Sequence, residues 1–268
     1  DYMLIKLDNN GNIIWQKHIG GMRYDFGFGT IVDSENNIYI TGKQKSDSHG
    51  NFDIGIIKVD PNGSILWQKK IGGVASDGSK CIAVDSMGNI YLGGNTQTNS
   101  YGSFDINVVK LDTNGNLIWQ KKIGGLVSEN CKSIVVDSED NIYLNCYNAT
   151  LGYEAKGWVY AIIKLDSNGN ILWQKKMGGN DNSTGNDIAL DSSDNMYITG
   201  VQTTDIDGIF DCVIMKASNI QTSDMALSIS DSSLSIGDST LSIGDMNLLI
   251  GDLTATIADM NLSITNIE

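Results

Sequence analysis

The chain has 268 residues, with 18 Lys and Arg against 32 Asp and Glu, a formal charge of -14 and a pI near 4.4. That balance repels nucleic acid and anionic membrane surfaces, which are bound through clustered Lys and Arg, and no apolar run reaches the roughly 18 residues that a bilayer requires. A hydrophobic fraction of 41% supports a real core, and 30 glycines beside a single proline fit a chain of many tight turns.

The first residue is Asp1 rather than Met, so the sequence reads as processed or as a fragment. From Lys6 runs KLDNNGNIIWQKHIGG, which returns as KVDPNGSILWQKKIGG from Lys58, KLDTNGNLIWQKKIGG from Lys110 and KLDSNGNILWQKKMGG from Lys164. Trp15, Trp67, Trp119 and Trp173 are therefore 52, 52 and 54 residues apart. A second block tracks the first, as in IVDSENNIYITG and IAVDSMGNIYLGG, anchored on Asp33, Asp85, Asp137 and Asp191. Each unit reads as four short strands. Two β-rich runs are joined by an Asn-Gly turn and two more by a Ser-x-x-Asn turn, with apolar and polar residues alternating along them. Four strands at a period near 50 predict an all-β fold, a β-propeller of four-stranded blades over residues 1–217.

The VDSxxNIYxxG block resembles the bacterial repeats described as seven-bladed β-propeller repeats. The LDxNGNIxWQK block is similar to the tryptophan-docking motif of quinoprotein-type propellers. The resemblance covers residues 1–217 and implies that Trp15, Trp67, Trp119 and Trp173 pack between adjacent blades. Such families range from enzymes to adhesins, so it implies no activity. With the Trp strand as the outer one, residues 1–20 supply the last two strands of one blade. Full blades follow at about 27–72, 79–124 and 131–178, and a three-stranded blade ends at 210–217. We expect a chain truncated at its N-terminus; a closed four-bladed ring with a spare strand is the alternative.

Residues 218–268 form a different unit. LSISDSS LSIGDST LSIGDMN LLIGDLT ATIADMN LSITNIE repeats every seven residues, with Ile229, Ile236, Ile243, Ile250, Ile257 and Ile264 at one heptad position. The 3–4 spacing predicts an oligomeric coiled-coil stalk. Gly237, Gly244 and Gly251 weaken any helix, and in the alternative Leu-Ser-Ile is a short strand of a β-roll. In either form the apolar stripes predict self-association through residues 225–268, with a homotrimer favoured.

Candidate chemistry is sparse. Cys81, Cys131, Cys146 and Cys212 lack metal-ligand spacing and read as small buried hydrophobes. His18 aligns with Lys70, Lys122 and Lys176 and reads as a solvated face residue, as does His49. The Asp8 turn and its counterparts read as side chains bonding their own turns rather than calcium loops. Asp25, Asp77, Glu129 and Ser183 share a loop position from which carboxylates could meet around a cation, although capping of loop amides is the simpler reading. Tyr147, Tyr153 and Trp158, with Trp158 replacing Phe52, Phe104 and Phe210, mark one blade as different. No catalytic, cofactor-binding or metal residue is assigned. The expected protein is a non-enzymatic structural or adhesive one, outside the cell: a phage tail fibre or baseplate appendage, or a bacterial surface adhesin. Its partner would be a cell-surface glycan or protein receptor. An envelope-layer or filament subunit is the alternative, ahead of a quinone- or metal-dependent enzyme.

Overall fold

The computed structural model describes residues 1–20, 24–45, 51–98, 100, 103–124, 128–149, 158–177, 183–203, 210–217 and 228–231. Every element among them is a strand, and every pairing is antiparallel. Sheet 1 holds β1 (Tyr2–Leu7) and β2 (Ile13–Ile19). Sheet 2 holds β3 (Asp25–Val32), β4 (Ile38–Lys45), β5 (Phe52–Val59) and β6 (Ile65–Ile71). Sheet 3 runs β7 (Asp77–Val84), β8 (Ile90–Thr96), β9 (Asp105–Leu111) and β10 (Leu117–Gly124). Sheet 4 runs β11 (Glu129–Val136), β12 (Ile142–Ala149), β13 (Trp158–Leu165) and β14 (Ile171–Met177). Sheet 5 holds β15 (Ser183–Leu190), β16 (Met196–Thr203) and β17 (Phe210–Ala217).

The turn chemistry fixes these hairpins. Asp8 Oδ1 accepts the backbone N–H groups of Asn10 and Asn12, both at 2.8 Å, and Asn12 Nδ2 donates to Oδ2 at 2.9 Å. Asp60, Asp112 and Asp166 accept the matching backbone N–H groups of their own turns. Turn closure needs a left-handed residue, supplied by Gly11 at φ 83° and its counterparts. In the second turn type that place falls to Asn36, Gly88, Asp140 and Asp194, and two of these carboxylates reach back to the preceding sheet. Ser86 Oγ donates to Asp140 Oδ2 at 2.7 Å, and Ser138 Oγ to Asp194 Oδ2 at 2.5 Å.

Consecutive sheets bury apolar faces against one another. Ile56, Ile71 and Tyr39 of sheet 2 join Ile82, Ile90 and Val109 of sheet 3, and Val108, Ile123 and Tyr91 of sheet 3 join Ile142, Leu144 and Ile163 of sheet 4. Sheet 1 differs on one side. Ile57 and Val59 are fully buried against it, whereas Ile5 and Leu7, their counterparts in the repeat, are 38% and 47% exposed. No hydrophobic cluster among the described residues joins sheet 5 to sheet 1.

The tail is described over four residues, in the stretch whose glycines leave helix and strand both open. Ser228–Asp231 is a strand, β18, added to the outer edge of β10. It has the form that the strand alternative gave to Leu-Ser-Ile. The rest of the heptad segment lies outside the described residues.

Candidate functional site

A repeated polar frame sets the geometry of each sheet. In sheet 2, Asp33 Oδ1 accepts the Asn37 N–H at 2.8 Å, and Oδ2 accepts Asn37 Nδ2 at 3.0 Å and the Tyr39 hydroxyl at 3.2 Å. Lys58 Nζ stands 3.4 Å from the same Oδ2 and 4.8 Å over the Tyr39 ring, and that ring meets Trp67 edge-on at 5.9 Å. Sheets 3 and 4 repeat the set with Asp85, Tyr91, Lys110 and Trp119, then with Asp137, Tyr143, Lys164 and Trp173. Burial pushes Asp33 upward, but the Asn37 donors and Lys58 outweigh it and hold the carboxyl below its ordinary range.

Each tryptophan also ties its sheet to the next one. Trp15 Nε1 donates to the Pro61 carbonyl at 3.1 Å, Trp67 to Thr113 at 3.3 Å and Trp119 to Ser167 at 3.1 Å. Lys6 Nζ and Lys110 Nζ reach the same Pro61 and Ser167 carbonyls at 3.0 and 3.1 Å. The predicted docking role of the tryptophans is thus seen at three of four positions; for Trp173 the next turn lies outside the described residues.

The first strands of successive sheets, β3, β7, β11 and β15, contact one another and form the inner wall. Each carries a register shift, around Phe28, Lys80, Lys132 and Asn186. Such a bulge withdraws one residue from the ladder and re-aims its side chain. Lys80 and Lys132 come close enough to repel each other, and Lys43, from β4, joins them. Burial comes first in pushing Lys80 below its ordinary value, and the charges of Lys132 and Lys43 add to it; burial alone lowers Lys43. None of the three has a carboxylate within ion-pair distance among the described residues.

Neutral groups surround the lysines. Lys80 Nζ donates to Asn130 Oδ1 at 3.2 Å, and Asn95 Nδ2 donates to the same oxygen at 2.7 Å. Lys132 Nζ lies 5.4 Å from the Tyr147 ring centre. The Lys43 stem runs so close to Gly78 that a Cβ there would stand 2.3 Å from Lys43 Cε, so the glycine admits the side chain. On β3 the exposed rings of Phe26 and Phe28 stack 6.3 Å apart, with Phe52 5.8 Å from Phe26. Three half-buried ammonium groups from three consecutive sheets, without a carboxylate in ion-pair reach among the described residues and flanked by amide and aromatic groups, can bind an anion.

The residues singled out by sequence fare differently. Asp77 is buried and its carboxylate accepts from the Thr96 and Thr98 hydroxyls and the Gly73 N–H, the capping role. Asp25 and Glu129 stand at the same strand starts, Glu129 fully buried, and the Ser183 side chain lies outside the described residues. Among the described residues no group of three or more His, Cys, Asp and Glu is placed to hold a metal ion. His18 is 43% exposed, its Nε2 3.2 Å from Asp1 Oδ2. Tyr147 is half-buried beside Lys132; His49, Tyr153 and the Trp158 side chain lie outside the described residues.

Cys81, Cys131 and Cys146 are buried free thiols, as expected. Their spacing carries no sign that they meet: Cys81 Sγ is 3.8 Å from Cys131 Sγ across two sheets, and Cys131 stands opposite Cys146 on the β11–β12 ladder. Burial pushes Cys81 and Cys146 well above the ordinary thiol value. Cys212 lies on β17, and its side chain is outside the described residues.

Consecutive four-stranded antiparallel sheets, each docked on the next through its outer tryptophan, are blades. One curated relative is the uncharacterized WD repeat-containing protein L264 of Acanthamoeba polyphaga mimivirus, 27% identical over 210 residues, covering 60% of this chain and 15% of that protein. The repeated four-stranded antiparallel sheets fit a β-propeller. Another relative is the regulatory protein FlaEY of Caulobacter vibrioides, 23% identical over 167 residues, covering 53% of this chain and 18% of that one. The chain thus spans less than a fifth of the length of these relatives. Among solved structures, a protein of unknown function from Bacteroides caccae aligns with a TM-score of 0.49 at 10% identity, over 84% of this chain and 76% of that one. No family model matches.

Proposed function

We propose that this chain is a non-enzymatic adhesive module displayed outside the cell, of the tail-fibre, baseplate-appendage or surface-adhesin kind. Its blades bind an acidic surface polysaccharide and its heptad tail joins copies together. The observation that carries this reading is the meeting of Lys43, Lys80 and Lys132 on the inner wall without a carboxylate partner among the described residues. The blades are net acidic as well, with 25 Asp and Glu against 18 Lys and Arg in residues 1–217, so the site acts through a local excess of cations and not through overall charge. Aromatic rings beside the cations suit a sugar ring that carries a carboxylate or phosphate. The Asp8, Asp60, Asp33, Asp85 and Asp137 carboxylates are engaged in turns and ion pairs away from these lysines.

Calorimetric titration of the full chain with a polyuronate, against neutral dextran, tests the reading. Binding should be confined to the polyuronate, weaken with salt, and fall at least tenfold on replacing Lys80 and Lys132 with Met. Equal binding to dextran, or binding indifferent to both substitutions, would overturn it. Light scattering addresses the tail: discrete oligomers favour a fibre, and open-ended polymers favour an envelope-layer or filament subunit.

A further inference from the structure

Two of the buried thiols meet beside the lysines of the inner wall. Each inner strand places one residue on either side of its bulge: Gly27 and Gly29 on β3, Ser79 and Cys81 on β7, Cys131 and Ser133 on β11, Gly185 and Asp187 on β15. Cys81 follows the bulge residue Lys80, Cys131 precedes the bulge residue Lys132, and their sulfurs stand 3.8 Å apart. The equivalent residues are Gly29 and Ser79 for sheets 2 and 3, and Ser133 and Gly185 for sheets 4 and 5. Of these junctions, only that between sheets 3 and 4 has a thiol on both sides.

The surroundings leave room for the pair. A Cβ at Gly93 on β8 would stand 2.7 Å from Cys81 Sγ and 3.0 Å from Cys131 Sγ, so the glycine makes space for both sulfurs. Hydrogen bonds from the Cys146 and Cys81 thiols outweigh burial, and with the Lys80 charge they hold Cys131 well below the ordinary thiol value. That makes its sulfur the readiest nucleophile of the three. Cys146 lies opposite Cys131 on the β11–β12 ladder, where facing Cα atoms are about 4.5–5.5 Å apart. A disulfide prefers about 5.5–6 Å, which favours Cys81 over Cys146 as the partner.

We propose that Cys81 and Cys131 are an oxidative cross-linking site, which a small hydroperoxide converts to a disulfide between sheets 3 and 4. The Cys131 sulfur attacks one peroxide oxygen and the O–O bond breaks; hydroxide leaves and takes up the thiol proton to become water. Cys131 is then a sulfenic acid, oxidised by two electrons as the peroxide is reduced. The Cys81 sulfur attacks it, the S–O bond breaks, and a second water carries off the Cys81 proton. Cys81 is 8% exposed and Cys131 fully buried, so the oxidant must be small, and hydrogen peroxide is close to water in size. The link joins residues 50 apart in the chain. It fixes the spacing of two bulges and so ties Lys80 to Lys132 against their repulsion.

Cross-linking is read without polyuronate, so it stands or falls apart from the ligand reading. The full reduced chain is treated with hydrogen peroxide, unfolded in an alkylating agent, digested and mapped by mass spectrometry. Peptides joined through Cys81 and Cys131 should appear, lighter by two hydrogens and separated by reductant, with Cys146 alkylated. The oxidised chain should unfold at a urea concentration about 1 M higher. Cys81→Ser should abolish the link and leave Cys131 as a sulfenic acid that dimedone traps, whereas Cys146→Ser should link as the unaltered chain does. Three alkylated thiols after peroxide, a link from Cys131 to Cys146, or a link that forms only in the unfolded chain would each overturn the proposal.

Discussion

Replacing Lys110 with Met should destabilise the blades by about 4 kcal/mol, while the same change at Lys6 should cost about 1 kcal/mol. The two lysines hold one repeat position and each donates to a carbonyl of the next blade, at 3.1 and 3.0 Å. Only Lys110 also faces a carboxylate: its Nζ is 3.5 Å from Asp85 Oδ2, with side chains 9% and 2% exposed. Removing one partner of a buried pair costs about 3–5 kcal/mol, because the other charge is left without compensation. Asp85 keeps donors from Asn89, Met87 and Tyr91, so the lower end, about 3 kcal/mol, applies. The lost bond to the Ser167 carbonyl adds about 1 kcal/mol, which is all that Lys6 has to lose. Urea unfolding followed by circular dichroism measures both variants, with the slope checked for constancy. Asp85→Asn combined with Lys110→Met should recover part of the loss, since no unpaired charge remains. Equal costs at Lys110 and Lys6 would refute the assignment of the frame to the Asp–Lys pair.

Lys80→Met should raise stability by about 0.5–2 kcal/mol while it removes polyuronate binding, because it relieves mutual repulsion at the proposed ligand position; a destabilised variant that still binds would contradict the proposal. Ile57→Ala should cost about 2–5 kcal/mol and Ile5→Ala clearly less, since Ile57 is fully buried and Ile5 is 38% exposed; matched costs in thermal melts would show that something covers Ile5 in solution. The Asp33–Lys58 pair predicts a pH window. Asp33 is lowered, and Lys58 is raised because Tyr39 and Asp33 outweigh its burial. The pair's contribution is therefore whole between the unfolded values of about 3.9 and about 10.4. It is lost as pH falls through the lowered Asp33 value or rises through the raised Lys58 value. Lys58→Met should abolish the alkaline loss in denaturation curves, and an unchanged alkaline limb speaks against the pair. In a Cys212→Ser background, a thiol-reactive dye should label none of Cys81, Cys131 and Cys146 before unfolding and all three after it; rapid native labelling would contradict their burial.

The strands were legible because their signals are local. Asn-Gly turns, alternation and the 52-residue period act within a few residues, and the sheets follow them. The tryptophan docking was legible through resemblance alone. The Asp–Lys frame was missed, although Asp33, Asp85 and Asp137 recur in step with Lys58, Lys110 and Lys164, and a polar position kept in every copy of a buried strand requires a polar partner. The thiol triad was not legible at all. Its members occupy different repeat positions, and it takes both the β11–β12 register and the seating of one blade on another to bring them together. Lys80 and Lys132 share a repeat position that could have been noticed, but Lys43 lies on another strand. The tail stood between coiled coil and strand because heptad spacing and glycine content oppose each other, and the blade edge offers Ser228–Asp231 a partner that periodicity does not report.

Where the repeats differ indicates where binding can evolve on this scaffold. A frame residue such as Lys110 is constrained twice, by Asp85 and Tyr91 in its own blade and by Ser167 in the next, so a change there is felt across two blades. A bulge residue is outside the ladder, and substituting it leaves the register on both sides intact. The four copies follow that division. Asp, Tyr and Lys recur in the frame, while the bulge position runs Phe28, Lys80, Lys132 and Asn186. Aromatic, cationic and amide side chains thus occupy one structural position on the inner wall, supplying different recognition chemistry at little cost to folding. Burial and mutual repulsion of the lysines are a cost that packing alone would not retain, and an anion seated between them would remove it.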